Sequence, residues 1–587
     1  MKKIMEYIQK KRWIDYIIIL IIGIALSISL SDMMIRNTHD GTIHLNRIVG
    51  DYKMLKQGQF PVMIIDNYCN GDGYNMNVFY PPLVTYIPLL IRLFTSTTVM
   101  ALKLFGALCI ILSGFTMYKL VYNITKKRGI ALVASIIYLV APYKLANVYV
   151  RYAIGEFVAY VFLPLLFLGL HNLINENGRK HYYIAIGAIG LILCHNITAM
   201  YAAIFSVIYL ILHIRKLQDN EVLKKLGINA IFIVLCTALY ILPMLEAKSY
   251  TLYGIFDNFV MGTNNTYVPE QALDVMQFFK DTSNKVKSVS FKIGIPTLIL
   301  FVSSLYCASK VDKKIKKTYW IYIVFSLISL WMCTNLFPWK YAPNILCKLQ
   351  FPWRMLGFFI FFSALICAIN LCILVQKFAK KQWLKKLIYS ITIILFLLNT
   401  IPSYQEFYKN ANRREEEFPT DSELEQFLNK GEPLGYLKTN IEYMPSIISF
   451  RAKFYGEERR GGISVLEGNA TIKEESKNSL TVDASLENIS KNTILEFSFV
   501  FYPGYEITLI NENGKYILES KVSKNGYLST VLPQDIEKAR IHVEYKGSII
   551  TKTSYLVSIL SGIILIMYIY KSKKAVKGEN NEAIVKK

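Results

Sequence analysis

The chain has 587 residues, 53% of them hydrophobic and 18% charged, with a formal net charge of +24 at pH 7. Apolar stretches long enough to cross a hydrocarbon core recur along it, which excludes a water-soluble globular domain and makes the chain a polytopic membrane protein. The lysine and arginine excess lies beside those stretches, so the charge is a topology signal and calls for no nucleic acid.

In chain order, twelve spans are expected near residues 13–33, 97–122, 129–147, 154–173, 181–196, 197–214, 226–246, 293–309, 318–336, 353–376, 386–402 and 552–571. A basic start (Lys2, Lys3, Lys10, Lys11, Arg12) precedes the first span, and no small-residue cleavage site follows it, so it reads as a retained anchor. Basic clusters recur at Lys126–Arg128, Arg179–Lys180, Arg215–Lys216 with Lys224–Lys225, Lys310–Lys317, Lys377–Lys386 and Lys571–Lys574. With twelve spans these all fall on one side, which makes that side and both termini cytoplasmic. The segment around 79–95 is apolar too, but counting it would invert every later loop. It reads as an interfacial or re-entrant helix with Pro81 and Pro82 in its first turn. Cys69 and Cys347 fall in external loops and read as two free thiols in preference to a pair.

The expected organisation is a transmembrane domain over 1–402 with external loops 34–96, 247–292 and 337–352. An external helical linker follows over 403–445, opened by the capping pattern Thr420–Asp421–Ser422–Glu423. From 446 to 550 the pattern alternates in period two, as in "SLTVDASL" and "RIHVEYK", with Asn513–Gly514 as a hairpin signal. This predicts an external β-sandwich-like domain. Residues 551–587 return as a final transmembrane helix with a basic cytoplasmic tail.

Polar side chains gather at the external ends of the spans. "RNTHDGTIHLNRI" (36–48) holds His39, Asp40 and His44 in a chain with seven histidines. If the stretch is helical, Asp40 and His44 share a face, as an acid/base pair or as two ligands of a divalent cation such as Mg or Mn. "YVRYAIGEF" brings Arg151 and Glu156, "LCHNITAM" brings His195 and Asn196, and "LQFPWRML" brings Gln350 and Arg354. Each has a plainer reading: a solvated loop, an Arg151–Glu156 structural pair, a capped turn, or interface anchoring beside Trp353. Tyr80, Pro81 and Pro82 read as shape. Four such clusters on one face suggest an outward-facing site, because ionisable groups at that depth are costly unless paired or functional.

The order "HDGTIHLNRI", "FYPPL", "RYAIGE", "LCHNIT", "QFPWR", followed by "FYPGYEITLINENGK" in the β region, resembles bacterial membrane proteins of the YfhO group, also described as 6-pyruvoyl-tetrahydropterin-synthase-related. That group in turn resembles the GT-C membrane glycosyltransferases. The resemblance implies a GT-C-like helical fold and a sugar donor linked to polyprenyl phosphate. It also implies an acceptor in the cell envelope (glycopolymer, glycolipid or protein) and an essential first-loop acid, here Asp40, with Glu156 as the second carboxylate and His44 orienting the first. Tyr80, His39, Arg151, His195, Asn196, Gln350 and Arg354 would bind substrate. The first loop departs from the family pattern in having His39–Asp40 where a pair of acids is expected. No pterin chemistry is implied, since no zinc-binding histidine triad is present. Two further readings are a transporter or flippase for a lipid-linked precursor and a non-enzymatic envelope-assembly protein.

Overall fold

Every one of the twelve apolar windows folds as helix. The computed structural model describes residues 12–66, 72–279, 289–401, 404, 420–423, 442–455 and 462–585. Cys69 and most of the 403–445 linker lie outside them. The membrane part comprises α1 (Trp13–Ser27), α2 (Gly41–Lys56), α3 (Leu83–Arg92), α4 (Thr98–Thr125), α5 (Arg128–Leu139), α6 (Pro142–Tyr149) and α7 (Ile154–Asn175). It continues with α8 (Tyr183–Ile192), α9 (Asn196–Ile211), α10 (Asn220–Tyr250), α11 (Ile295–Val302), α12 (Lys316–Cys333), α13 (Leu356–Phe378) and α14 (Gln382–Leu398). Among the described residues six helices are long and apolar enough to cross a membrane, or seven when α5 and α6 count as one span bent by 46°. The bend has a local cause: Ala141 is extended, and Pro142 restarts the helix at its first position, where its missing N–H costs nothing. Helices α3, α8 and α9 are shorter apolar pieces, and α3 carries Pro82 as its N-cap.

Sequence composition sorts the helices by depth. α13 is apolar all round and buried along nearly its whole length, as is α7, so both run through the middle of the bundle. α10 and the final helix α16 (Ile549–Val585) are mostly exposed and pair with each other, Ser558 Oγ donating to Leu235 O and accepting from Leu239 N, both at 2.9 Å. Asp15 of α1 is buried yet satisfied: Arg128 Nε and Nη2 each approach it at 2.7 Å and Tyr118 also donates to it. One buried acid thus joins α1, α4 and α5.

After the short helix α15 (Ser446–Tyr455), nine strands form two antiparallel sheets. β1 (Ser464–Glu467), β4 (Ile494–Val500), β8 (Tyr527–Val531) and β7 (Lys521–Val522) form one, in that order. β2 (Thr471–Asn478), β3 (Thr481–Ile489), β9 (Ile536–Tyr545), β5 (Tyr505–Asn511) and β6 (Gly514–Leu518) form the other. The β5–β6 hairpin turns one residue earlier than expected, at Glu512–Asn513, because Asn511 pairs with Gly514. Phe497 and Phe499 of one sheet and Val482, Ile507 and Ile541 of the other share a single apolar cluster. That cluster does not stop at residue 446. It continues through Val62, Ile64, Tyr74 and Phe79 of the first loop and through Tyr443 and Met444.

Candidate functional site

Backbone geometry at the ends of the helices sets the site. The chain enters α2 through a turn in which a Cβ on Gly41 would lie 1.8 Å from Ile35 O, so only glycine fits. The same entry is stitched to the α6–α7 connection, His39 N donating to Val150 O at 3.3 Å and Asp40 N to Arg151 O at 2.9 Å. Asp40 is the N-cap of α2, where the helix dipole favours a carboxylate. Glu156 lies in the first turn of α7, His195 is the N-cap of α9, and Arg354 lies in the 3₁₀ turn Pro352–Met355 that leads into α13. Four helical N-termini therefore face one place.

That place is a cavity of about 280 Å³. Asp40, His44, Tyr80, Arg151, Glu156, His195, Asn196, Gln350 and Arg354 all line it. His39 does not line it: the residue is exposed, and its backbone N–H donates to Val150 O.

Glu156 is the hub. Its Oε1 accepts from Tyr143 OH at 2.6 Å and from Asn147 Nδ2 at 2.9 Å, while Oε2 accepts from Arg151 Nη1 at 2.8 Å and stands 3.8 Å from Arg354 Nε. Arg151 is used on every side: besides Glu156 it reaches Asn147 Oδ1 at 2.7 Å and Asp40 Oδ2 at 3.8 Å, and it stacks over Trp353 at 4.6 Å. Arg354 is less committed. Its Nη1 holds Leu349 O at 2.9 Å and Gln350 Oε1 at 3.2 Å, and its buried Nε has no hydrogen-bond partner. Glu156 and Arg151 are only 5% and 6% exposed, whereas Asp40 is 37% exposed. Asp40 is thus the carboxylate of this cluster that a ligand reaches. Both arginines sit beside unusual backbone, since Tyr152 and Gln350 have φ of 50° and 65°. Such conformations cost about 1–3 kcal/mol and persist where surrounding packing imposes them.

Tyr80 is braced from behind. Arg47 lies 4.6 Å over its ring and donates from Nε to Asn77 Oδ1 at 2.9 Å, Asn77 donates to Asp51 Oδ1 at 2.6 Å, and His44 meets Tyr80 edge-on at 5.7 Å. Burial, and then Arg47, push His44 down to about 3, so its imidazole is neutral at physiological pH. Burial pushes Tyr80 up to about 12, leaving a neutral phenol. His195 Nδ1 accepts from Thr198 N at 3.3 Å, which assigns the remaining proton to Nε2. Asn196 donates to Tyr240 OH, which donates to Phe79 O at 2.7 Å, so this amide positions the loop around Tyr80. Gly155 permits the close fit: a Cβ there would lie 2.7 Å from Cys194 O and 3.0 Å from His195 Cδ2.

Asp40 and His44, the pair expected to take a divalent cation, both line the cavity. Among the described residues no three His, Cys, Asp or Glu side chains cluster for a metal, and His44 is packed against Tyr80. The outlying histidines stay apart as well, His181 against Tyr568 and Asn229, His213 against Tyr209 O. Glu442 and Tyr443 also line the cavity and escaped the sequence reading. Their stretch, "NIEYMPS", has neither periodicity nor a charge cluster to single it out.

Comparisons with known proteins bear on the family. A protein of Lactococcus lactis subsp. cremoris (strain MG1363), itself uncharacterized, is 25% identical over 603 residues, covering 96% of each chain. Among solved structures, the mycobacterial arabinofuranosyltransferase AftD aligns at 12% identity and a TM-score of 0.45, over 70% of this chain and 28% of its own. The Archaeoglobus fulgidus oligosaccharyltransferase aligns at 14% and 0.42, over 71% and 57%. This chain therefore spans about a quarter of the first and over half of the second. Residues 78–407, more than half of the chain, match the family described as 6-pyruvoyl-tetrahydropterin synthase related domain, membrane protein. The chain is a member of that family.

Proposed function

We propose that the cavity is the active site of a GT-C-type membrane glycosyltransferase that takes a sugar from a polyprenyl-phosphate donor and passes it, with inversion, to a cell-envelope acceptor. The observation that carries this reading is the line of Asp40, Arg151, Glu156 and Arg354 in one cavity, at distances of 2.8 to 3.8 Å. A cation with unused donor capacity beside an accessible carboxylate is what a sugar phosphate and a hydroxyl acceptor need. The motif order shared with the YfhO group supports the same chemistry.

In this reading Arg354 binds the donor phosphate through its unpartnered Nε–H and its charge. Glu156 and Arg151 are positioning residues: Glu156 fixes both guanidinium planes, and Arg151 holds Asp40 toward the cavity. Asp40 accepts the hydrogen bond of the acceptor hydroxyl. His195 Nε2–H, Tyr80 OH and Gln350 supply further contacts to the sugar. The cavity is of the size of a small-molecule pocket, about 300 Å³ or more, which admits one sugar-phosphate head with the lipid tail left in the membrane.

For topology we adopt twelve spans with both termini cytoplasmic, which places the cavity and the two sheets, as a β-sandwich, outside the plasma membrane. Domain limits of 1–402, 403–445, 446–550 and 551–587 go with it. A flippase for a lipid-linked precursor is the second reading. It is favoured by Lys144, buried within the bent α5–α6 span and held by Ser113 Oγ at 2.6 Å and the Tyr138 ring at 4.3 Å. One comparison separates the two. In cells carrying Arg354→Ala, a transferase leaves a polyprenyl-linked sugar to accumulate on the outer leaflet, whereas a flippase leaves it on the inner one.

A further inference from the structure

Glu442 reaches the cavity from the stretch that leads into the β region, and its backbone is held there. Met444 O accepts from Gly254 N at 2.9 Å, Ser446 N donates to Leu252 O at 2.7 Å, and Tyr443 O accepts from Tyr502 OH at 3.0 Å. Gly254 lets the two strands touch, since a Cβ on it would stand 3.0 Å from Glu442 O. Glu442 lines the same cavity as Asp40. Among the described residues it has no ion-pair partner, in contrast to Glu156, which accepts from three donors, and Asp40, which faces Arg151.

We propose that Glu442 takes the proton of the acceptor hydroxyl, with Asp40 orienting that hydroxyl. This rests on the transferase reading. The acceptor O–C1 bond forms as the C1–O bond to phosphate breaks, the hydroxyl proton ends on the Glu442 carboxylate, and polyprenyl phosphate leaves with the electron pair. A base beside a guanidinium is weakened for this task, whereas a partly buried carboxyl without a cation beside it is strengthened. Burial, opposed by a hydrogen bond from its own backbone and reinforced by the charge of Asp40, pushes Glu442 up to about 7. Arg151 and Arg354 stay charged across this range. His44 and Tyr80 titrate far from it, at about 3 and about 12, and burial also moves Tyr443 upward. His195 is the other imidazole lining the cavity, and His195→Gln removes it as a control.

The test uses membrane vesicles from the producing strain, whose own polyprenyl-linked sugars serve as donor, with transfer to envelope material followed from pH 5 to 9. The rate is expected to rise as pH climbs through about 7, roughly tenfold per unit on the acid side, in the wild type and in His195→Gln. Glu442→Gln should lose roughly 100-fold or more, and Glu442→Asp should recover at least a tenth of the wild-type rate, with unchanged membrane levels. Equal rates in the Gln and Asp variants, or an acid limb that survives in Glu442→Gln, overturn the proposal while leaving the transferase reading intact. Transfer that is the same in a gene deletion overturns both.

Discussion

At the scale of single residues, the account turns on which carboxylates are accessible and which are spent. Glu156 is spent, so Glu156→Gln should act on assembly before chemistry. Leaving Arg151 buried without its partner should cost about 3–5 kcal/mol, read as a lower midpoint of thermal unfolding in detergent. Arg354→Lys keeps the charge but loses the planar fork, so donor binding should weaken with little loss of fold, measured as a raised apparent KM. The sequence already marked these residues, because an ionisable side chain at a span end is costly enough to stand out. It could not tell that Glu156 accepts from three donors, nor that His39, adjacent to Asp40, lies outside the cavity lining. Glu442 was illegible for another reason: its approach depends on the pairing of Tyr253 with Pro445, a contact between distant segments.

At the scale of elements, the fit of helix ends replaces loop chemistry. Gly155→Ala would push a methyl to 2.7 Å from Cys194 O. It should destabilise by about 1–3 kcal/mol and widen the gap between α7 and the His195 turn. Activity should fall more than stability, because both lining residues move. Helix positions were legible from apolar windows. Span length was not, because Pro142 and the His195 cap break the run where hydropathy alone sees continuity. The β region was legible from its period-two alternation, yet the partners of its apolar cluster were not. First-loop residues such as Ile64 and Tyr74 complete its apolar cluster, and alternation says nothing about a partner brought from elsewhere in the chain. Residues 446–547 expressed alone should therefore melt well below the full chain, and Phe499→Ala in the full chain should cost about 3–5 kcal/mol.

At the scale of the whole molecule, the proposal places the cavity and both sheets outside the cell and the basic loops within. A cysteine introduced at Ser422 or Asn469 should react with an impermeant thiol reagent in intact cells, and one at Lys314 should not; the reverse pattern would turn the site inward. The claim on which the rest depends is that this cavity transfers a sugar through Asp40. The direct measurement is mass spectrometry of envelope glycopolymers and polyprenyl lipids from cells with the gene deleted, restored, or restored as Asp40→Asn. The account predicts a sugar substituent that disappears on deletion, returns with the wild type, and stays absent with Asp40→Asn at equal protein level, while the lipid-linked donor accumulates. A substituent that persists in the deletion strain, or returns fully with Asp40→Asn, would contradict it.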